Sequence, residues 1–143
     1  MNSFLMNNIF ISFIFTIYFF QLMPTNAQRY LVRITDQLPN NSSPLRVHCQ
    51  SKDDDLGYHD LHPGESVHWE FGVNFSGSTL YFCHFWWGKK DAIFDVYTYP
   101  WSKDYCGNGL LFTNKCLWFV QEDGFYVNKI VGKHRGLTKL RSW

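Results

Sequence analysis

The chain has 143 residues, with 13 Lys+Arg against 12 Asp+Glu and a formal net charge of +1, so it carries no overall basic footprint for nucleic acid. Its length excludes a TIM barrel, a dinucleotide-binding doubly wound domain and a second domain of ordinary size. No charged side chain precedes Arg29, whereas residues 28–143 hold all four cysteines with 8 Phe, 7 Tyr and 6 Trp, enough to bury one core and to exclude intrinsic disorder.

The uncharged segment comes first. Ile9 to Phe20 is apolar apart from Ser12 and Thr16, and Pro24 and the small residues of Thr25-Asn26-Ala27 follow. This pattern predicts a secretory signal peptide over residues 1–27, cleaved after Ala27. The leader lacks a basic n-region, although the terminal amine supplies one positive charge. The rival reading is an uncleaved anchor; against it, the stretch is short beside the roughly 17 to 25 residues of a membrane helix and has no basic flanks. Export implies a secreted, extracellular protein with no stable membrane insertion after cleavage.

The remainder reads as all-β, a small antiparallel β-sandwich of six to eight strands, because short segments alternate with period 2 and none keeps a helical period. Tyr30 to Thr35 is a first strand. Leu45, Val47 and Cys49 then alternate with Arg46 and His48. Val67, Trp69, Phe71 and Val73 alternate with His68, Glu70 and Gly72. Next, Tyr81, Cys83, Phe85 and Trp87 share one face, leaving Phe82, His84 and Trp86 on the other. Ala92, Phe94 and Val96 alternate with Ile93, Asp95 and Tyr97, as Cys116, Trp118 and Val120 do with Leu117, Phe119 and Gln121. Glu122-Asp123-Gly124 reads as a hairpin turn into Phe125 to Val131. Residues 39–44, 51–63, 74–78 and 100–108 have turn composition.

Export makes disulfides the expected state of Cys49, Cys83, Cys106 and Cys116, and four cysteines permit three pairings. It also exposes three N-x-S/T sequons, at Asn40, Asn41 and Asn74, as glycosylation acceptors. Asn40 and Asn41 overlap and support one glycan more readily than two.

Candidate chemistry is sparse. Asp53-Asp54-Asp55-Leu56-Gly57 concentrates carboxylates, but adjacent acids point in divergent directions and do not follow the alternating ligand order of a calcium loop. A solvated turn with an Asx-type hydrogen bond is the expected structure. His59 and His62 are separated from any shared helical face by Pro63-Gly64, and no HExxH is present. No metal and no cofactor are expected. The chain lacks a GxSxG elbow, and catalytic residues are expected to be none. His48, His68 and His84 lie on the non-core sides of three strands and would line up if those strands were neighbours. Phe82, Trp86, Tyr97, Tyr99 and Trp101 are either covered by a second sheet or form an exposed partner site. Lys129, Lys133, Arg135, Lys139 and Arg141 follow the last acid, Asp123, as a basic tail that closes in a C-terminal extension at about 132–143, solvated or in contact with anionic wall polysaccharide or membrane.

The ordered set Val47-His48-Cys49-Gln50-Ser51-Lys52-Asp53-Asp54-Asp55-Leu56-Gly57, Trp69-Glu70-Phe71, Leu80-Tyr81-Phe82-Cys83, Phe94-Asp95-Val96-Tyr97 and Cys116-Leu117-Trp118 resembles the plant self-incompatibility protein S1 family, the S-protein homologues, over about Leu31 to Val127. The resemblance implies a secreted β-sandwich with two disulfides, core residues Trp69, Phe71 and Trp118, and no catalytic residues. It also implies an extracellular signalling ligand, which in the poppy member triggers rejection of self pollen. The expected partner is a cell-surface receptor protein, and the chain is expected to act as a monomer without nucleic acid. Recognition is expected on loops, with Asp53, Asp54, Asp55, Tyr99 and Trp101 as candidates. Of the pairings, Cys49–Cys116 with Cys83–Cys106 nests the shorter loop inside the longer and is the expectation. The alternative function is a small secreted hydrolase or carbohydrate-binding effector acting on the cell wall.

Overall fold

The computed structural model describes residues 2–21, 28–107, 113–131 and 134–143. An apolar helix α1 (Ser3–Gln21) leads into β1 (Arg29–Asp36), β2 (Leu45–Gln50), β3 (Asp55–Leu61), β4 (Ser66–Gly72), β5 (Leu80–Trp87) and β6 (Lys90–Thr98). A short helix α2 (Tyr99–Tyr105) precedes β7 (Thr113–Gln121), β8 (Gly124–Val131) and β9 (His134–Arg141). The strands form a five-stranded sheet in the order β4-β1-β7-β8-β9 and a four-stranded sheet in the order β3-β2-β5-β6.

The inward residues of both sheets make one core. Tyr30, Val32 and Ile34 of β1 are buried, as are Leu45, Val47 and Cys49 of β2, Tyr81, Cys83 and Phe85 of β5, and Cys116, Trp118 and Val120 of β7. These are the apolar faces of the period-2 pattern. Aromatic pairs join the sheets, with ring centroids 5.0 Å apart for Tyr30 and Tyr97, 4.6 Å for Phe71 and Tyr81, and 4.8 Å for Phe85 and Phe125. The Trp118 indole N–H donates to the Val96 carbonyl at 3.0 Å, satisfying the polar end of a buried ring.

The fold is mainly β, with nine strands among the described residues rather than six to eight, and it is not wholly antiparallel. β1 and β7 run parallel, from Arg29 opposite Thr113 to Asp36 opposite Val120. Between them the chain builds the whole four-stranded sheet, and a parallel pair of this kind has no local turn to announce it. The two strands absent from the period-2 reading are β3 and β9, both at sheet edges. In β3 only Leu61 is buried, so selection on its side chains leaves no apolar alternation. The expected basic tail is largely β9, paired with β8 from Phe125 opposite Arg141 to Val131 opposite His134. Beyond it, Trp143 packs on Phe125 and donates its indole N–H to the Gln121 carbonyl at 2.9 Å. Lys133 lies outside the described residues.

The disulfides are Cys49–Cys83 and Cys106–Cys116, which corrects the nested expectation of Cys49–Cys116 and Cys83–Cys106. Cys49 and Cys83 are direct register partners on β2 and β5, with Cα atoms 4.1 Å apart. Cys116 stands on β7 in the other sheet, where its partner is Cys106, with Cα atoms 4.3 Å apart. The bridges therefore do not cross-link the sheets. One staples neighbouring strands, and the other joins the end of α2 to β7, where Gly107 and Lys115 also exchange backbone hydrogen bonds of 3.0 and 2.9 Å.

No residue of α1 is buried. At 19 residues it is long and apolar enough to cross a membrane, a test that a signal sequence also passes. The shortness of Ile9 to Phe20 is therefore no argument against an anchor. The cleavage position after Ala27 lies outside the described residues.

Candidate functional site

Three segments meet at one end of the sandwich. The first is the β2–β3 turn. Ser51 N–H donates to the Asp54 carbonyl at 2.8 Å, and Ser51 Oγ accepts from the N–H groups of Asp53 and Asp54 at 3.4 and 3.0 Å. The three carboxylates then diverge. Asp53 is exposed. Asp54 Oδ2 accepts from the Tyr81 hydroxyl at 3.3 Å. Asp55 belongs to β3, where its Oδ1 accepts from Gly57 N–H at 2.9 Å and meets His48 Nε2 at 2.7 Å. The first of those bonds is the Asx-type turn, with Gly57 at φ +74° supplying the left-handed residue. Gly57 N–H and then His48 hold the Asp55 carboxyl below the usual carboxylate range, while burial pushes the Tyr81 phenol up.

The second segment is the β4–β5 loop. Asn74 organises it: Oδ1 accepts from Ser78 N–H at 2.8 Å and from Ser76 Oγ at 3.3 Å, and Nδ2 donates to Ser78 Oγ at 2.7 Å. This closed set of bonds leaves Phe75 at the tip fully exposed. Gly77, at φ +67°, lies against the Tyr99 ring, and a Cβ there would stand 3.2 Å from Tyr99 Cδ1. The third segment is the start of β1, where Arg29 reaches Glu70 of β4 at 3.6 Å. Together these segments line a groove of about 810 Å³, walled by Arg29, Asp53, Asp54, Glu70, Asn74 and Tyr81. On the far side of the β4–β5 loop, Phe75 and Tyr99 line a smaller hollow of about 240 Å³.

The structure thus brings Asp53, Asp54 and Asn74 together, with Tyr99 behind the same loop. Trp101 is elsewhere. Residues 99–105 are helical rather than loop: Thr98 Oγ1 caps α2 by accepting Trp101 N–H at 3.4 Å, and Pro100 falls in the first turn, where its missing N–H costs nothing. Trp101 lies flat on Trp118, 5.3 Å between centroids and 8° between planes, so it is a packing residue. Asn108 lies outside the described residues. Asn40 and Asn41 are exposed at a turn in which Ser42 N–H donates to the Pro39 carbonyl at 3.1 Å.

The outer aromatic set also divides. Tyr97 is fully buried, because the register shifts between Tyr81–Tyr97 and Phe82–Asp95, and the extra residue, Val96, turns Tyr97 inward. Phe82 and Trp86 remain half-exposed on the outer face of the four-stranded sheet. His48 and His84 are direct partners on that face, whereas His68 pairs with Arg33 in the other sheet. His59 Nε2 bonds the Leu56 carbonyl at 2.9 Å. Among the described residues no three His, Cys, Asp or Glu side chains converge as metal ligands.

Arg29 and Glu70, which wall the end groove, and Phe75, which lines the smaller hollow beside it, are parts of this end that the sequence did not mark. Phe75 is hidden inside a sequon, and the other two lie on strands distant in sequence that only the β1–β4 pairing brings together.

The family profile of the plant self-incompatibility protein S1 matches residues 31–143. The chain belongs to that family. Among its relatives, S-protein homolog 24 of Arabidopsis thaliana is 42% identical over 98 residues, which is 68% of this chain and 60% of that protein. S-protein homolog 2 of the same plant is 41% identical over 103 residues, 72% of this chain and 61% of that protein. The matches thus span about 60% of the length of these S-protein homologs. A solved SPH (self-incompatibility protein homologue) structure, described as from a widespread family of small, highly stable, secreted plant proteins, superposes with a TM-score of 0.59 at 17% identity. It covers 82% of this chain and 96% of its own. The matched region reaches Trp143, so β9 is part of the S-protein homologue domain and not an extension beyond it.

Proposed function

We propose that this S-protein homologue is a secreted recognition ligand, read by a cell-surface receptor protein at the loop end of its sandwich and carrying no catalytic role. The apolar helix α1 acts as the export signal, and export allows both disulfides to form. The observation that supports the reading is the convergence of the β2–β3 turn, the β4–β5 loop and Arg29 on one groove, held by the core and by the Cys49–Cys83 bridge between β2 and β5. Loops on a rigid platform are the usual place for recognition. Of the three groove acids, Asp53 is exposed while Asp54 meets Tyr81 and Glu70 meets Arg29, an arrangement suited to contact more than to a hydrolytic pair. Rejection of self pollen is one instance of such signalling, and a glycan on Asn74 would frame the same end.

The test is saturable binding of the labelled, secreted protein to intact plant cells. The double change Asp53→Ala/Asp54→Ala and the single change Phe75→Ala are each expected to weaken binding about tenfold, or ~1.4 kcal/mol, with the melting temperature unchanged. Unaltered binding, or loss that appears only with unfolding, would refute the loop end as the recognition site.

A further inference from the structure

The outer face of the four-stranded sheet carries a connected layer of rings. Tyr58 of β3 stacks on His48 of β2, with centroids 4.2 Å apart and planes 17° apart. On β5, His84 stacks on Trp86 at 3.7 Å and 23°. Tyr58 and Trp86 approach to 6.0 Å, and the pairing of His48 with His84 closes the set. Nothing among the described residues covers this layer: Tyr58 is 65% and Ile93 61% exposed. Large rings held in fixed orientation and left facing water are costly unless another surface takes them up, and Tyr and Trp dominate binding hot spots.

Charge identifies what that surface is. Around the rings stand Asp55 beside His48 at 2.7 Å and Asp91 beside His84 at 3.2 Å. Asp95 lies opposite Phe82, and Asp60 is held by Arg46 through two bonds of 2.7 and 2.9 Å. One arginine therefore faces four aspartates, and the arginine is already spent on Asp60. Guanidinium and ammonium groups are attracted both by such carboxylates and by the faces of Tyr and Trp. We propose that this face docks a basic protein surface, one whose Arg and Lys side chains lie over Tyr58 and Trp86 and pair with Asp55 and Asp91.

The inference rests on the reading of this chain as a ligand for a cell-surface protein and names the chemistry of that partner. In projection, four strands at about 4.8 Å spacing and about five residues of strand give roughly 250 Å², well short of the ~800 Å² a stable interface buries on each side. The remainder is supplied without a break, since Phe82 borders both the face and the end groove and Asp55 continues the Asp53-Asp54 turn.

The experiment uses the secreted, ¹⁵N-labelled protein titrated with hexa-arginine, hexa-glutamate and cellohexaose at low salt. Hexa-arginine is expected to shift the amide signals of Tyr58, His84 and Trp86, with affinity falling about tenfold in Tyr58→Ala and in Asp91→Asn; both replaced side chains are exposed, so the fold is retained. Shifts confined to the Asp53-Asp54 turn, no response to hexa-arginine, or a response of the face to cellohexaose instead would overturn the proposal. Saturable binding to cells by a protein whose sheet face ignores hexa-arginine would defeat this inference alone. Shifts on the face without cell binding would defeat the receptor reading and leave the basic-partner chemistry standing.

Discussion

Asp36 is a buried carboxylate with Oδ1 accepting Leu38 N–H at 2.7 Å and Oδ2 buried without a partner among the described residues. Burial raises its pKa above 3.8, against the opposing pull of the Leu38 N–H. Between 3.8 and that raised value the folded state holds more proton than the unfolded chain, so stability falls as pH rises through the window. The exposed Asp55 and Asp60 act with the opposite sign: their pKa values are lowered, by Gly57 N–H and by Arg46 respectively, so what they add is lost as pH falls below 3.8. Asp36→Asn is expected to flatten the dependence above pH 3.8 and leave the acid limb in place, read from urea midpoints across a pH series. Gly124 offers a second residue-scale test. Its φ is +150°, and a Cβ would collide with the Arg141 carbonyl oxygen and crowd Lys139, so Gly124→Ala should destabilise by about 1 to 3 kcal/mol in chemical denaturation. Single residues were legible in the sequence where a local rule governs them. Gly57 follows from its Asx turn and Gly124 from its hairpin; Tyr97 did not, because a one-residue bulge reverses its facing.

At the scale of elements, seven strands announce themselves because one face of each must enter the core. β3, β9 and α2 do not. β3 and β9 are edges whose side chains mostly meet solvent, so they are recovered only through backbone pairing. α2 has only seven residues, too few for a period, although its Thr98 cap and Pro100 were in plain view. The candidate site is affected accordingly: residues 51–63 have turn composition, yet β3 within them gives Tyr58 its place on a sheet face, and residues 100–108 have turn composition, yet α2 seats Trp101 on Trp118. Trp101→Ala is now expected to cost about 2 kcal/mol through lost stacking on Trp118, measurable by thermal or urea unfolding, with little change in partner binding. The bridges have unequal weight. In the chain-entropy model a 34-residue separation gives about 3.8 kcal/mol and a 10-residue separation about 2.7. Cys49→Ser/Cys83→Ser should therefore lower stability more than Cys106→Ser/Cys116→Ser, and nonreduced peptide mapping should recover those two pairs and no crossed product.

As a whole molecule, the S-protein homologue is a two-sheet body with a groove at one end and a layer of rings on the outer face of its four-stranded sheet. The all-β class, two bridges and the family were readable from composition and an ordered motif set. The parallel β1–β7 pair and the disulfide partners were not, since both depend on which segments become neighbours once the sheets are paired. The same limit applies to recognition: the acids of the β2–β3 turn were marked from sequence, while the continuity of that turn with the His48, Tyr58, His84 and Trp86 layer exists only once β2, β3 and β5 are paired. The most direct measurement is binding of the secreted protein to plant cells before and after mild surface proteolysis and, separately, after enzymatic wall digestion. Binding that saturates, disappears with protease and survives wall digestion is the expected result; binding that resists protease and vanishes with the wall polysaccharide would contradict a receptor protein as the partner.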